Sequence, residues 1–211
     1  MEPIIDSRAK SILAKVYASK FIDEISPLEY LVQILSTDEQ HLELELAQLE
    51  NAELVKISGS VPSLTSRGRK LIVAVMTGGA FDILHPGHIE TLGQARALGD
   101  VLIVSIARDT TFERNKNRKP HHNELMRQKL VSAVRAVDAA VLGSETDIFE
   151  TVDRLKPDII ALGYDQFHNE EKITLQMRKR GLDVKVVRLK SSVPDIKSSS
   201  LISHSESLRE I

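Results

Sequence analysis

Two histidines three residues apart, separated by a proline and a glycine, carry the most distinctive potential for chemistry in this chain: His85-Pro86-Gly87-His88. They follow Gly78-Gly79-Ala80-Phe81-Asp82, which in turn follows six apolar residues from Leu71 to Met76. An imidazole can donate a hydrogen bond, pair with an anion when protonated, or ligate a metal. A spacing of three puts both rings on the first turn of a helix that starts at Pro86, where the missing proline N–H costs nothing. Small residues at the end of a buried strand let a phosphate approach the backbone, and the free N–H groups of a helix amino terminus favour an anion there. Strand, glycine turn and helix start therefore compose an anion site. Taken alone, the two rings also fit a metal pair or two hydrogen-bonded polar histidines.

Four later segments end apolar runs in the same way. Asp109 to Pro120 concentrates Arg114, Lys116, Arg118 and Lys119; His121 and His122, just beyond, read as surface residues. Gly143 follows Ala139-Ala-Val-Leu142, and Gly163 follows Asp158-Ile-Ile-Ala-Leu162, leading into Tyr164, Asp165 and Gln166. Ser198, Ser199 and Ser200 precede Leu201-Ile202, either as a flexible tail or as a helix cap whose hydroxyls and N–H groups meet phosphate.

Gly79 to His88 resembles the G-T-F-D-x-x-H-x-G-H signature of the nucleotidyltransferase superfamily that includes cytidylyltransferases, pantetheine-phosphate adenylyltransferase and archaeal FAD synthases. Ala80 stands where that signature usually has Thr. Lys116 to Lys119 is similar to the K-x-[KR]-[KR] loop of the same enzymes, and Gly143-Ser-Glu-Thr-Asp-Ile-Phe-Glu150 with Leu162-Gly-Tyr-Asp-Gln166 looks like the archaeal FAD synthase branch. Two departures stand out: Val193-Pro194 lies where cytidylyltransferases carry Arg, and the tail lacks the Cys frequent in archaeal FAD synthases. The resemblance implies transfer of AMP from ATP to FMN with release of pyrophosphate, assisted by Mg2+. It assigns His85, His88, Lys116 and Arg118 to catalysis. Gly79, Ala80, Phe81, Asp82, Gly87, Tyr164, Asp165, Gln166, Ser198, Ser199 and Ser200 would hold nucleotide, and Gly143 would lie by the acceptor. Two other readings stay open: a CTP-dependent cytidylyltransferase acting on glycerol 3-phosphate or a similar phosphorylated alcohol, and a DNA-binding regulator that senses nucleotide.

The elements that must position these residues alternate. Apolar runs at Leu71–Met76, 100–107, 139–142, 158–162 and 183–189 are separated by helical stretches, as in a Rossmann-like, doubly wound parallel sheet of five strands. The first seventy residues differ. Helical patterns over 6–22, 26–35 and from Thr37, then a short hairpin, resemble a winged-helix domain, giving expected domains of 1–69 and 70–211. Between Thr37 and Glu53 stand six carboxylates and no Lys or Arg, so that helix would repel DNA. A protein-interaction role or a homodimer is expected ahead of DNA binding. With 211 residues, net charge −2 and no Cys, the chain offers no disulfide, no sulfur-based zinc site and no global basic field. No run approaches the roughly 20 apolar residues of a membrane span, and the start has no leader pattern, so a cytoplasmic location is expected.

Overall fold

Alternating side chains of the apolar strands divide between the two faces of one parallel sheet. A computed structural model of the chain describes residues 5–164, 166 and 169–190. In it the strands are β3 (Ala74–Gly79), β4 (Val101–Ile106), β5 (Ala139–Leu142), β6 (Ile159–Leu162) and β7 (Lys185–Arg188), in the order β5-β4-β3-β6-β7 with every pairing parallel. This is the expected doubly wound sheet. The central strand starts and ends three residues later than the apolar run predicts, because Asp100 and Asp158 accept the Val73 and Ala74 amides and fix where pairing begins.

One face takes Val75, Leu102, Val104, Ile106, Ala140 and Ala161 and is covered by α5 (Pro86–Arg96) through Leu92 and Ala95 and by α7 (Glu124–Ser132) through Val131. The other takes Ala74, Met76, Val101, Ile103, Val141, Ile160 and Leu162. There α8 (Ile148–Leu155) and α9 (Glu170–Lys179) contribute Val152, Leu155, Ile173 and Met177. α7 stops at Ser132, with Ala133 as its carboxyl cap.

The second face is shared with the first seventy residues. These form α1 (Ser7–Ser19), α2 (Pro27–Leu35), α3 (Glu39–Asn51), an antiparallel hairpin of β1 (Val55–Ser58) and β2 (Val61–Leu64), and the short α4 (Ser66–Arg69). Asp6, Ser26 and Asp38 cap the three longer helices through side-chain bonds to backbone N–H groups. Ile12, Leu13, Val16 and Tyr17 of α1 belong to the same apolar cluster as Met76 and Ile103. Three carboxylates at the amino ends of the strands each meet a cation from this segment: Asp100 with Lys10 at 3.0 Å, Asp138 with Lys15, and Asp158 with Arg69 at 2.9 Å. The Tyr17 hydroxyl donates to the Leu155 carbonyl. Apolar burial and charge pairing thus join both parts of the chain at the sheet end opposite the histidines.

Asp109 to Lys116, read from sequence as a basic loop, is a helix, α6, closed by Asn117 in the left-handed conformation at φ 54°. Only Phe112 of this helix is buried, so no apolar period announces it.

Candidate active site

Among the described residues, those the sequence singles out for chemistry lie at or beyond the carboxyl ends of the strands. Gly78 and Gly79 are the last residues of β3 and pair with Ser105 and Ile106 of β4. Phe81 follows with φ 51°, a left-handed turn rare for a bulky residue, and folds its buried ring back over Gly79. A Cβ on Gly79 would sit 2.9 Å from that ring. This position therefore needs glycine for packing as well as for access.

His85 is the amino-terminal cap of α5 in extended conformation, with Pro86 in the first turn. The His85 and His88 rings lie 3.9 Å apart between centroids, tilted by 35°, and the Phe81 ring stands 5.1 Å from His88. Both imidazoles are half-buried at the positive end of the α5 dipole. Gly87 lies in the same turn, its carbonyl accepting from Thr91 Oγ1 at 2.8 Å.

Asp82 is 4% exposed and organises the segment after α6. One carboxylate oxygen accepts from the His121 amide at 2.7 Å; the other lies 2.8 Å from Arg118 Nη2, an ion contact rather than an aligned hydrogen bond. The Asp82 carbonyl lies 3.1 Å from His122 Nδ1. His121 is exposed, as read, with only its amide tied to Asp82, whereas His122 is half-buried and its ring contact with the Asp82 carbonyl corrects its reading as a plain surface residue. Arg118 also stacks over Phe112, 4.9 Å from its centroid, while Lys116 is exposed on the last turn of α6.

Beneath these residues lies a group that the sequence reading missed. Arg127 of α7 is fully buried and donates to the carbonyls of Ala80, Ala107 (2.8 Å) and His122 (3.0 Å) and to the Asp109 carboxylate (2.7 Å). It joins the ends of β3 and β4 to the basic segment. The available signal was its place four residues before the buried Val131, on the core side of the helix.

Gly143 approaches β4 so closely that a Cβ would meet Ser105 Oγ at 2.9 Å. The loop after it is closed by Ser144 bonding Glu150, and bonds from Ser144 and Thr146 hold the Glu150 carboxyl below the usual carboxylate range. Arg108, at the end of β4, meets Glu124 at 3.1 Å and Glu145 at 2.8 Å. At β6, Gln166 donates to the Gly78 carbonyl at 2.6 Å, and Tyr164 is exposed beside it. Asp165 and Ser198, Ser199 and Ser200 lie outside the described residues.

The described part of the site thus combines a glycine strand end, two adjacent imidazoles at a helix amino terminus, and a tethered basic segment. It can hold a polyphosphate and stabilise charge moving along it.

Comparison with known proteins agrees with this geometry. The family model described as cytidylyltransferase-like matches residues 76–205. An FAD synthase from Aciduliprofundum boonei is 54% identical over 119 residues, covering 56% of this chain and 79% of the relative. One from Archaeoglobus profundus is 51% identical over 120 residues, 57% of this chain and 76% of the relative. The crystal structure of a lipopolysaccharide core biosynthesis protein from Thermoplasma volcanium superposes with a TM-score of 0.56 at 44% identity, covering 58% of this chain and 99% of that one. The family match begins at residue 76, beyond α1 to α4.

Proposed function

The chain belongs to the cytidylyltransferase-like family, among its FAD synthases, and from that premise we propose that it transfers AMP from ATP to FMN, giving FAD and pyrophosphate. The observation that carries this reading is the His85 and His88 pair stacked at the start of α5 beside the Gly78-Gly79 strand end.

An FMN phosphate oxygen attacks the α-phosphorus of ATP, forming the new P–O bond as the bond to the β-phosphate oxygen breaks. No covalent enzyme intermediate is needed. The transfer asks for alignment of two phosphates and neutralisation of the charge that develops on the leaving pyrophosphate. His85, His88 and the α5 amino terminus take the phosphates, and Arg118, with Lys116 on the adjoining helix end, supplies positive charge from the β4 side. Asp82 works indirectly: by holding Arg118 and the His121 amide, it fixes the basic segment against the turn. Gly79, Ala80 and Phe81 form the floor, Gly87 leaves room over the helix start, and Tyr164 and Gln166 wall the nucleotide. Gly143 lies toward the acceptor.

Among the described residues no group of three or more His, Cys, Asp or Glu could hold a metal ion. Mg2+ fits this site as part of the substrate, arriving on the triphosphate oxygens. No helix among the described residues is long and apolar enough to cross a membrane.

We read residues 70–211 as the catalytic part and residues 1–69 as a winged-helix-like accessory, supported by the order of three helices and a hairpin. The acid-rich α3 argues for a protein partner or a second copy over DNA.

Pyrophosphate release tests the function with ATP or CTP against FMN, glycerol 3-phosphate and no acceptor, in Mg2+. Release that needs both ATP and FMN, with FAD as product, is the expected result. Turnover of CTP with glycerol 3-phosphate would overturn it.

A further inference from the structure

The switch point of this sheet lies between β3 and β6, because the chain leaves β3 toward β4 on one side and returns to β6 on the other. Ligands of open α/β sheets bind in the crevice outside the strand ends at such a point. The wall of that crevice on the β6 side includes Gly163, Tyr164 and Gln166. Gly163 and Gln166 are held from the edge strand. Arg188, the last residue of β7, donates from Nη1 to the carbonyls of Gly163 at 3.0 Å and Gln166 at 2.9 Å. Its Nε pairs with Glu170, at the start of α9, at 2.7 Å. Gln166 in turn reaches across β6 to donate to the Gly78 carbonyl on β3 at 2.6 Å. A connected path of polar bonds therefore runs from Glu170 through Arg188 and the wall to the glycine strand end.

Two consequences follow from the chemistry of that path. A guanidinium offers several donors in a rigid plane and can satisfy two carbonyls and a carboxylate at once, which an ammonium on a flexible stem cannot reproduce. Two carbonyl oxygens turned toward Arg188 are also two acceptors turned away from a crevice that must receive negative charge. We propose that Arg188 is a positioning residue that holds the β6 wall in the form that receives the nucleotide, so that it governs affinity for ATP and not for the acceptor. This rests on reading the crevice as the ATP site. Among the described residues, the Gly143 loop, on the far side of β4, receives no hydrogen bond from Glu170, Arg188 or Gln166.

The test uses the full chain in Mg2+, with ATP binding measured by titration calorimetry and FMN binding by quenching of flavin fluorescence, so that neither depends on turnover. Arg188→Met is expected to weaken ATP by about tenfold or more while FMN stays within about twofold of wild type. Arg188→Lys should recover part of the loss, and Glu170→Gln should weaken ATP by about two- to threefold. ATP affinity within about twofold of wild type in Arg188→Met, or ATP and FMN affinities falling together, overturns the proposal. Should Arg188→Met fail to fold, unchanged ATP affinity in both Arg188→Lys and Glu170→Gln overturns it instead. FAD formation by the wild-type chain is scored separately and tests the reading of the site, independently of the clamp.

Discussion

Replacing Arg127 by Met keeps the length and apolar stem of the side chain and removes only its guanidinium, which isolates the polar role of a residue that is 0% exposed. Four acceptors lose their donor: the carbonyls of Ala80, Ala107 and His122 and the carboxylate of Asp109. Asp109 is 32% exposed and can turn to water. The three carbonyls belong to half-buried residues at the ends of β3 and β4 and just before α7, so the low end of the range for an unsatisfied acceptor applies. A buried acceptor left unsatisfied costs about 1–3 kcal/mol, so three give about 3 kcal/mol at the low end. Against a typical stability of about 5–15 kcal/mol, this is a large share. Urea unfolding followed by circular dichroism measures it, and with a slope of about 2 kcal/mol per molar the midpoint should fall by about 1.5 M or more at unchanged slope. Arg127→Lys should lie between the two. A loss below about 1 kcal/mol in Arg127→Met would refute the reasoning, because the carbonyls would then have found other donors.

Three further outcomes are expected. His88→Ala should unfold at the wild-type midpoint yet lose turnover by about a hundredfold, the usual consequence of removing one charge-stabilising group; wild-type turnover would count against its role. Gly79→Ala places a methyl 2.9 Å from the buried Phe81 ring, which stands against His88. Overpacking of this kind costs about 1–3 kcal/mol, and turnover should fall with stability, as thermal melts and FAD formation would show. Burial pushes the Tyr17 hydroxyl up from 10.0 to about 12, and raises that of Tyr30 as well. A phenol that ionises more readily in the unfolded chain contributes stability that is present below about pH 10 and is lost as the pH rises toward the folded value. Stability should therefore decline through that window, and Tyr17→Phe should flatten the decline; an unchanged slope in that variant would contradict the assignment.

The sheet was legible because its inner strands are buried on both faces and are built mainly of Val, Ile, Leu and Ala, while most helices between them carry apolar stripes. The phosphate turn was legible because glycines, a proline and two histidines fall in a fixed order. α6 was not, since one buried residue makes no period. Arg127 was hidden for a different reason: a helical arginine reads as solvated unless its partners, three of which lie 18 to 47 residues away in sequence, are known. Asp82 shows the same limit, because its type is visible in the motif but its hold on Arg118 and His121 depends on the fold. The docking of α1 was equally unreadable. Ile12, Leu13, Val16 and Tyr17 announce a buried side without saying what buries it. Yet Asp100, Asp138 and Asp158 each stand directly before a strand, a repetition in the sequence that the pairing with Lys10, Lys15 and Arg69 explains.

That pairing has a consequence for the order in which the molecule is made. Residues of α1 to α4 leave the ribosome before the strands they pack against, carrying a helix with Ile12, Leu13, Ala14, Val16, Tyr17 and Ala18 all destined for burial. α2, α3 and the hairpin can cover only part of that surface. The rest waits for Val101 and Ile103, and the cations on Lys10, Lys15 and Arg69 wait for Asp100, Asp138 and Asp158, the last of which is synthesised 89 residues after Arg69. The amino-terminal segment is therefore a nascent surface that later strands must find, and a chain stalled before β6 would present it to chaperones. Its commitment to the fold comes only with the later strands, although it is translated before them.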